Sequence, residues 1–203
     1  MAEEVLEVVK DTETSEPALG GMLIRDAAAV VGLLALWGGA EAWLANTSLA
    51  LALITAVGAS LVAGWSIAGL FHEWGHYVGA KLARAAAPRV KVQGLSFFRF
   101  TFNLETNGLR QFAAMSIGGN VAHWAAVAAA VLLVPMTTPG QVTFVSSTVA
   151  FAVFASVIEW PIIARTASGR VRPIEAFAHL DRAFLRRHYV IGGIGGLLFL
   201  AFA

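Results

Sequence analysis

The sequence predicts an all-α polytopic membrane protein of about five transmembrane helices, with a small membrane-associated β-hairpin between spans two and three. Two observations predict this fold class. Of the 203 residues, 58% are hydrophobic and only 13% are charged, whereas soluble domains carry roughly 25% charged residues. The apolar residues also fall in runs close to the ~20 residues that a helix needs to cross the hydrocarbon core. A chain of this length suits one integral domain.

The chain begins with an acidic segment, residues 1–20, in which Lys10 is the only basic residue. Such a segment buries too little apolar surface to order itself, so we expect a disordered cytoplasmic tail. Residues 21–203 form the predicted membrane domain. Its spans run over about Met22–Leu44, Ser48–Leu70, Gln111–Val134, Val142–Ile163 and Tyr189 to the C-terminus.

The second and fifth predicted spans differ in length from a helix that just crosses the membrane. The second continues helically to about Arg84, beyond its apolar part. The fifth has only ~15 residues, fewer than a crossing needs. It therefore lies at the interface, crosses a locally thinned bilayer, or is incomplete in this sequence, and the three interpretations stay open.

The basic residues orient the chain. All 14 lysines and arginines lie in the tail, at the start of the first span, between spans two and three, or between spans four and five. None lies in the short connectors 45–47 and 135–141. We therefore expect the N-terminus and both basic segments in the cytoplasm, and we expect a prokaryotic cell membrane. A formal net charge of +1 gives no indication of a nucleic-acid partner.

The segment between spans two and three alternates apolar and polar residues, as a half-buried strand does. Its apolar members are Phe98, Phe100, Phe102 and Leu104, and Gly94 and Asn107-Gly108 supply turn residues. Two roles stay open for this predicted hairpin. It either plugs the bundle or offers an edge that pairs with an extended peptide. In the second role Phe98, Phe100 and Phe102 contact a substrate.

The motif His72-Glu73-Trp74-Gly75-His76 ends the apolar part of the second span. Two histidines four residues apart on a helix lie on one face and can hold one zinc ion. A glutamate beside the first histidine reaches a metal-bound water and can act as a general base. Three ionisable groups at membrane depth are costly, which favours this interpretation over a chance match. The absence of cysteine excludes a disulfide framework, a thiolate nucleophile and Cys-type zinc ligands.

A third metal ligand is expected from a carboxylate. Glu159 lies in otherwise apolar sequence two residues before Pro161, which removes a backbone donor and predicts a broken helix that lines a cavity. We predict that Glu159 completes a set with His72 and His76 and leaves the fourth position open. The alternative for Glu159 is an interfacial pair with Arg165. Asp181, within a basic segment predicted to form an interfacial helix, is the second choice of ligand.

The third span carries Gly118-Gly119-Asn120 and then His123. Small residues allow close helix contact, which alone would explain the glycines. A single histidine in an apolar helix is more often packed and hydrogen-bonded than bound to a metal. We therefore predict a hydrogen-bonded His123, although its cost at this depth keeps a ligand role open.

Together these residues resemble the intramembrane zinc metalloproteases of the site-2 protease type. The resemblance rests on the His72–His76 motif at the end of an apolar helix, followed by a strand-like loop and a glycine-bearing helix. It covers about residues 48–170, the catalytic core of such enzymes. It implies zinc-dependent hydrolysis of a peptide bond in or near a transmembrane helix of a protein substrate.

The chain departs from this family at two places. The family usually supplies its third ligand as the aspartate of an Asp-Gly pair, where this chain has Ser168-Gly169. His123 stands where the family has an asparagine that contacts the substrate. The sequence thus predicts an intramembrane zinc metalloendopeptidase in contact with the lipid bilayer. The alternative is a non-catalytic relative that binds or regulates a membrane protein.

Overall fold

The computed structural model describes residues 16–91, 99–169, 172, 175 and 182–203. These residues form five α-helices: α1 (Leu19–Thr47), α2 (Ala50–Leu82), α3 (Leu109–Leu133), α4 (Pro139–Ala167) and α5 (Arg182–Phe202). The predicted all-α class is therefore confirmed for the described part of the chain.

The helices α1 to α4 are each long and apolar enough to cross a membrane, which is consistent with a membrane protein. They correspond to the first four predicted spans. The fifth helix does not belong to this set, so of the described helices four, rather than five, qualify as spans. It has 21 residues and begins at Arg182, before the apolar segment that the sequence indicates. Residues 19 and 20, predicted to lie in the tail, are the first residues of α1.

The helix α2 lies at the centre of the bundle and contacts α1, α3 and α4. Its close approach to α3 depends on glycines in both helices. A Cβ atom on Gly75 would overlap the carbonyl oxygen of Gly118, and one on Gly79 would overlap the carbonyl oxygen of Ala114. Because the backbones touch at these positions, the polar residues of α2 and α3 lie within hydrogen-bonding distance of each other.

The helix α4 begins at a well-formed N-terminus and continues without a break. The Thr138 hydroxyl accepts a hydrogen bond from the backbone N–H of Gln141, and Pro139 occupies the first helical position. The predicted break at Pro161 is wrong, because α4 extends to Ala167. The proline removes only one intrahelical donor, and packing against α2, α3 and α5 holds the helix together.

The helix α5 packs antiparallel to α4 through a glycine face. Side chains added to Gly192 and Gly196 would meet the backbone of α4 near Ala150. At the start of this contact the ring of Tyr189 stacks on Phe154, with centroids 4.4 Å apart. The fifth helix thus covers one side of α4.

The predicted β-hairpin is not supported. The described part of this loop contains no strand and one isolated antiparallel bridge, between Arg89 and Phe100. Phe100 and Phe102 instead pack against a buried cluster that includes Ala80 and Phe112. From Phe100 to Leu104 the apolar residues are half-buried and the polar ones are exposed, which explains this alternation without a sheet. Residues 92–98, which include the predicted substrate contact Phe98, lie outside the described residues.

Candidate metal centre

Three side chains from two helices converge inside the bundle. His72 and His76 lie one turn apart on α2, and Glu159 lies on α4. The two Nε2 atoms are 3.0 Å apart, and Glu159 Oε1 is 3.2 Å from His72 Nε2 and 2.9 Å from His76 Nε2. Among the described residues these three could hold a metal ion. Glu159 faces the imidazoles and not Arg165, which is exposed.

In each of these three side chains, the polar atom that does not face the other two also has a hydrogen-bonding partner. His76 Nδ1 donates to the carbonyl oxygen of Met115, at 2.9 Å. Glu159 Oε2 accepts from Asn120 Nδ2, at 2.5 Å. His72 Nδ1 lies 3.0 Å from Nδ1 of His123, which is fully buried. Such contacts fix the orientation and the tautomer of metal ligands.

A chain of hydrogen bonds then links His72 to Glu159. Asn120 Nδ2 donates to Glu159 and to the carbonyl oxygen of Ser116, so its Oδ1 is an acceptor. The Ser156 hydroxyl, 3.4 Å from this Oδ1, is the donor in that contact. Because the Ser156 hydroxyl donates its single proton to Asn120, its oxygen accepts hydrogen bonds from His123 Nε2 at 3.1 Å and from Trp124 Nε1 at 2.9 Å.

The direction of these hydrogen bonds assigns the tautomers of His123 and His72. A neutral His123 that donates through Nε2 has a bare Nδ1, which accepts from the Nδ1–H of His72. Nε2 of His72 then carries a lone pair, as does Nε2 of a neutral His76 whose proton goes to Met115. Three acceptor atoms thus face one another. A cation has to lie among them, either a metal ion or a proton that converts an imidazole to imidazolium.

The separations of the three atoms match a metal ion of the size of zinc. Ligand atoms at 2.0–2.1 Å in a tetrahedral site lie about 3.3 Å apart. The observed separations of 2.9 to 3.2 Å are slightly shorter. Two imidazole nitrogens and one carboxylate oxygen also form a common donor set of catalytic zinc sites. The residues therefore fit a zinc ion.

Gly119 makes room for one of the candidate ligands. A Cβ atom at this position would overlap the imidazole ring of His76. The neighbouring Gly118 faces the backbone of α2 instead. The sequence explained both glycines by helix contact, but only Gly118 has that role in the structure.

Glu73 lies where two cavities meet. One cavity, of about 360 Å³, is bounded by Phe100, Phe102 and Met115, and the other, of about 220 Å³, lies between α2, α4 and α5. Both are lined by His72, Glu73, Ile158 and Glu159. The Glu73 carboxylate is half-buried, so it is accessible to a molecule bound beside the three converging side chains.

Comparisons with protein-family models, with curated proteins and with solved structures all find nothing similar. The resemblance to site-2 proteases therefore rests on the residues of this chain alone.

The structure brings His72, Glu73, His76 and Glu159 together, with Phe100 and Phe102 on the wall of the adjoining cavity. Asp181 lies outside the described residues. His123 is placed behind His72, in the hydrogen-bonded position that the sequence favoured. Sequence reasoning missed Asn120 and Ser156 as partners of the site. The available signal was a polar side chain at membrane depth, and Ser156 lies three residues before Glu159 on the same helix face.

Proposed function

We propose that the protein is an intramembrane zinc metalloprotease that hydrolyses a peptide bond in or near a transmembrane helix of its substrate. One observation carries this proposal. Three acceptor atoms, from His72, His76 and Glu159, converge beside a carboxylate that is accessible from two cavities. A proton on one imidazole would also satisfy these acceptors, but the open cavities and the nearby Glu73 carboxylate favour a metal ion that takes part in hydrolysis.

The ligand set favours zinc and leaves room for a reaction. Imidazole and carboxylate ligands in a set of three, with the fourth position open, are typical of zinc hydrolases. When bound, zinc would polarise the substrate carbonyl and acidify the attacking water. The polar chain from His72 to Glu159 directs Nε2 of His72 and Oε1 of Glu159 towards the same point.

Glu73 then acts as the general base and acid. Its carboxylate takes one proton from the attacking water, whose oxygen bonds to the carbonyl carbon of the substrate. The carbon–nitrogen bond breaks, and Glu73 returns the proton to the departing amine. The products are one carboxylic acid and one amine, and Glu73 ends in its starting state.

The substrate is proposed to lie along the larger cavity in an extended form. A helix hides its carbonyl groups in hydrogen bonds, so the cleaved segment must unwind first. Phe100 and Phe102 line this cavity, and Phe100 already makes one bridge to Arg89. We infer from the basic segments that the site lies at the cytoplasmic side of the membrane, with the N-terminus on the same side.

Metal content tests the first part of the proposal. Protein purified in mild detergent and dialysed against zinc at neutral pH should retain about one zinc ion per chain, by mass spectrometry of the metal. Well-folded protein that takes up no zinc would contradict the metal centre.

Cleavage tests the second part. Designed single-span peptides, with a Gly-Pro or Asn-Gly pair near one membrane face to favour unwinding, are reconstituted with the protein in phosphatidylcholine vesicles. We expect fragments from the zinc-loaded protein, and at least about 100-fold slower cleavage by Glu73→Gln with its zinc content unchanged. Equal rates would contradict the role of Glu73. Zinc binding without any Glu73-dependent cleavage would favour the non-catalytic relative.

A further inference from the structure

The smaller of the two cavities has a distinct chemical character. It has a volume of about 220 Å³ and lies between α2, α4 and α5. Its outer wall consists mainly of aromatic rings, contributed by Trp65, Phe151, Phe154 and Tyr189, and its inner end is formed by the site residues His72, Glu73 and Glu159. One end of the cavity is thus apolar, and the other is the candidate metal centre.

Aromatic contacts hold this wall in one arrangement. The ring of Trp65 meets Phe151 edge-on at 5.2 Å and lies 5.5 Å from Phe154. Phe154 in turn stacks on Tyr189 of α5. Phe151 also contacts the ring of His72, at 5.5 Å. The wall is therefore continuous with the candidate ligand and is fixed relative to it.

Gly69 leaves the space open. It lies one turn after Trp65 and one turn before Glu73, on the same face of α2, and it is buried in the wall of the cavity. Because Gly69 lines the cavity, a side chain added there would reduce its volume. The absence of a side chain at Gly69 therefore contributes to the volume of the cavity.

The position of the cavity restricts what can occupy it. A peptide whose carbonyl group lies beside His72 and Glu73 must direct the side chains that flank this carbonyl into the adjoining spaces. A cavity of about 150 Å³ is known to accommodate a benzene ring, so 220 Å³ accommodates one large apolar side chain but not a helix.

On the basis of the proposed function, we propose that this cavity is a specificity pocket. It accepts one large apolar side chain, such as phenylalanine or leucine, from the substrate residue next to the bond that is cleaved. Gly69 and Trp65 determine which side chains fit. A bilayer lipid is the competing occupant, but its acyl chain would have to lie against the Glu73 and Glu159 carboxylates.

Binding of two hydroxamates tests this pocket without any cleavage. A hydroxamate coordinates zinc through two oxygens, and the probes carry either a benzyl or a methyl group on the adjacent carbon. Titration calorimetry in detergent should show that zinc-loaded protein binds the benzyl compound at least about tenfold more tightly, since hydrophobic pockets discriminate by 10–200-fold. Gly69→Val should abolish this difference, and Gly69→Ala, which favours the helix, should reduce it.

Gly58→Val provides the matched control. Gly58 lies in the same helix at an exposed position with nothing within 4 Å of an added Cβ atom. This variant should bind both hydroxamates as the parent protein does. Equal affinities for the two probes in the parent protein, or a benzyl preference that persists in both Gly69 variants, would overturn the specificity pocket. Equal affinities in the parent protein would also favour the lipid as the occupant of the cavity.

The same experiment separates this inference from the proposed function. If the protein takes up no zinc and binds neither probe, the metal centre fails and the pocket fails with it. If the protein binds zinc, and the benzyl and methyl hydroxamates bind with equal affinity, the metal centre stands and only the pocket is overturned. Cleavage products then provide a second check, because a large apolar residue should flank the bond that the parent protein cleaves.

Discussion

Two carboxylates on membrane-spanning helices, Asp26 (buried) and Glu159 (half-buried), differ in the chemistry of their neighbours. Asp26 on α1 accepts hydrogen bonds from Arg25, Arg99 and Trp74, and its side chain is 7% exposed. Glu159 on α4 accepts from Asn120 on one oxygen, but its other oxygen faces two imidazole nitrogens. Both carboxylates lie in apolar helices, where a charged group is costly.

The difference shows how a structural carboxylate can be distinguished from a binding site. The protein itself supplies Asp26 with cationic donors, at 2.6 Å from Arg25 and 2.5 Å from Arg99. These contacts hold α1 against Trp74 of the His72–His76 motif and against the loop before α3. Around Glu159 no described residue supplies a permanent positive charge within hydrogen-bonding distance. The balancing positive charge therefore comes from a bound cation or from a protonated imidazole.

The largest expected effect is the loss of zinc from Glu159→Gln. The amide keeps the shape of the side chain but removes its charge, so zinc affinity should fall by more than about 100-fold, since loss of an outer-shell contact alone costs 10–100-fold. In metal-free protein the free energy of unfolding should stay within about 1 kcal/mol of the parent value, because the amide N–H can donate to the imidazoles. Competition with a chelator and denaturant titration in detergent measure the two quantities.

A Glu159→Gln protein that retains its zinc would remove this residue from the ligand set. Asp181 would then be the next carboxylate to change. His72→Ala serves as the positive control, since it removes a ligand from the motif itself.

The same carboxylate-to-amide change at Asp26 should lower the stability of the protein and leave its zinc affinity unchanged. Asp26→Asn removes the charged carboxylate that the Arg99 guanidinium contacts, and Arg99 is only 4% exposed. Loss of one member of a buried ion pair costs about 3–5 kcal/mol, and denaturant titration should show a fall of this size in the free energy of unfolding. Zinc affinity in the folded protein should not change.

Arg25→Gln is the matched control for Asp26, because the Arg25 side chain is 42% exposed. Its effect on stability should not exceed about 1 kcal/mol, as for other exposed pairs. If Asp26→Asn unfolds like the parent protein but loses zinc, the two carboxylates do not differ in the way proposed.

Much of the fold followed from the sequence. Long apolar runs predict α1 to α4, because few other structures satisfy the backbone inside a membrane. The close spacing of His72 and His76 follows from helix geometry alone, and the contact with Glu159 was predicted from the rarity of a carboxylate in such a helix.

Other features depended on tertiary contacts that a local pattern does not contain. Alternation from Phe98 to Leu104 predicts a strand, but burial of Phe100 and Phe102 against α2 and α3 satisfies the same pattern. Pro161 was expected to break α4, yet one missing donor does not end a helix that is packed on three sides. Amides and hydroxyls such as Asn120 and Ser156 also pack in ordinary membrane helices, so their role depends on the three-dimensional contact with Glu159 and His123.

The smallest expected effect concerns His123, which acts on the site only through His72. His123→Leu removes the acceptor for the Nδ1–H of His72, so we expect zinc affinity to fall by about 10–100-fold. In His123→Asn the side-chain oxygen can occupy the position of Nδ1, and most of the affinity should return. The absorption spectrum of the cobalt-substituted protein should change in the leucine variant and return towards the parent spectrum in the asparagine variant. Val127→Ala removes buried volume one turn further along α3 and should lower stability without changing metal affinity. If His123→Leu binds zinc as tightly as the parent protein, the polar chain does not set the tautomer of His72, and the difference from Asp26 rests on the three converging side chains alone.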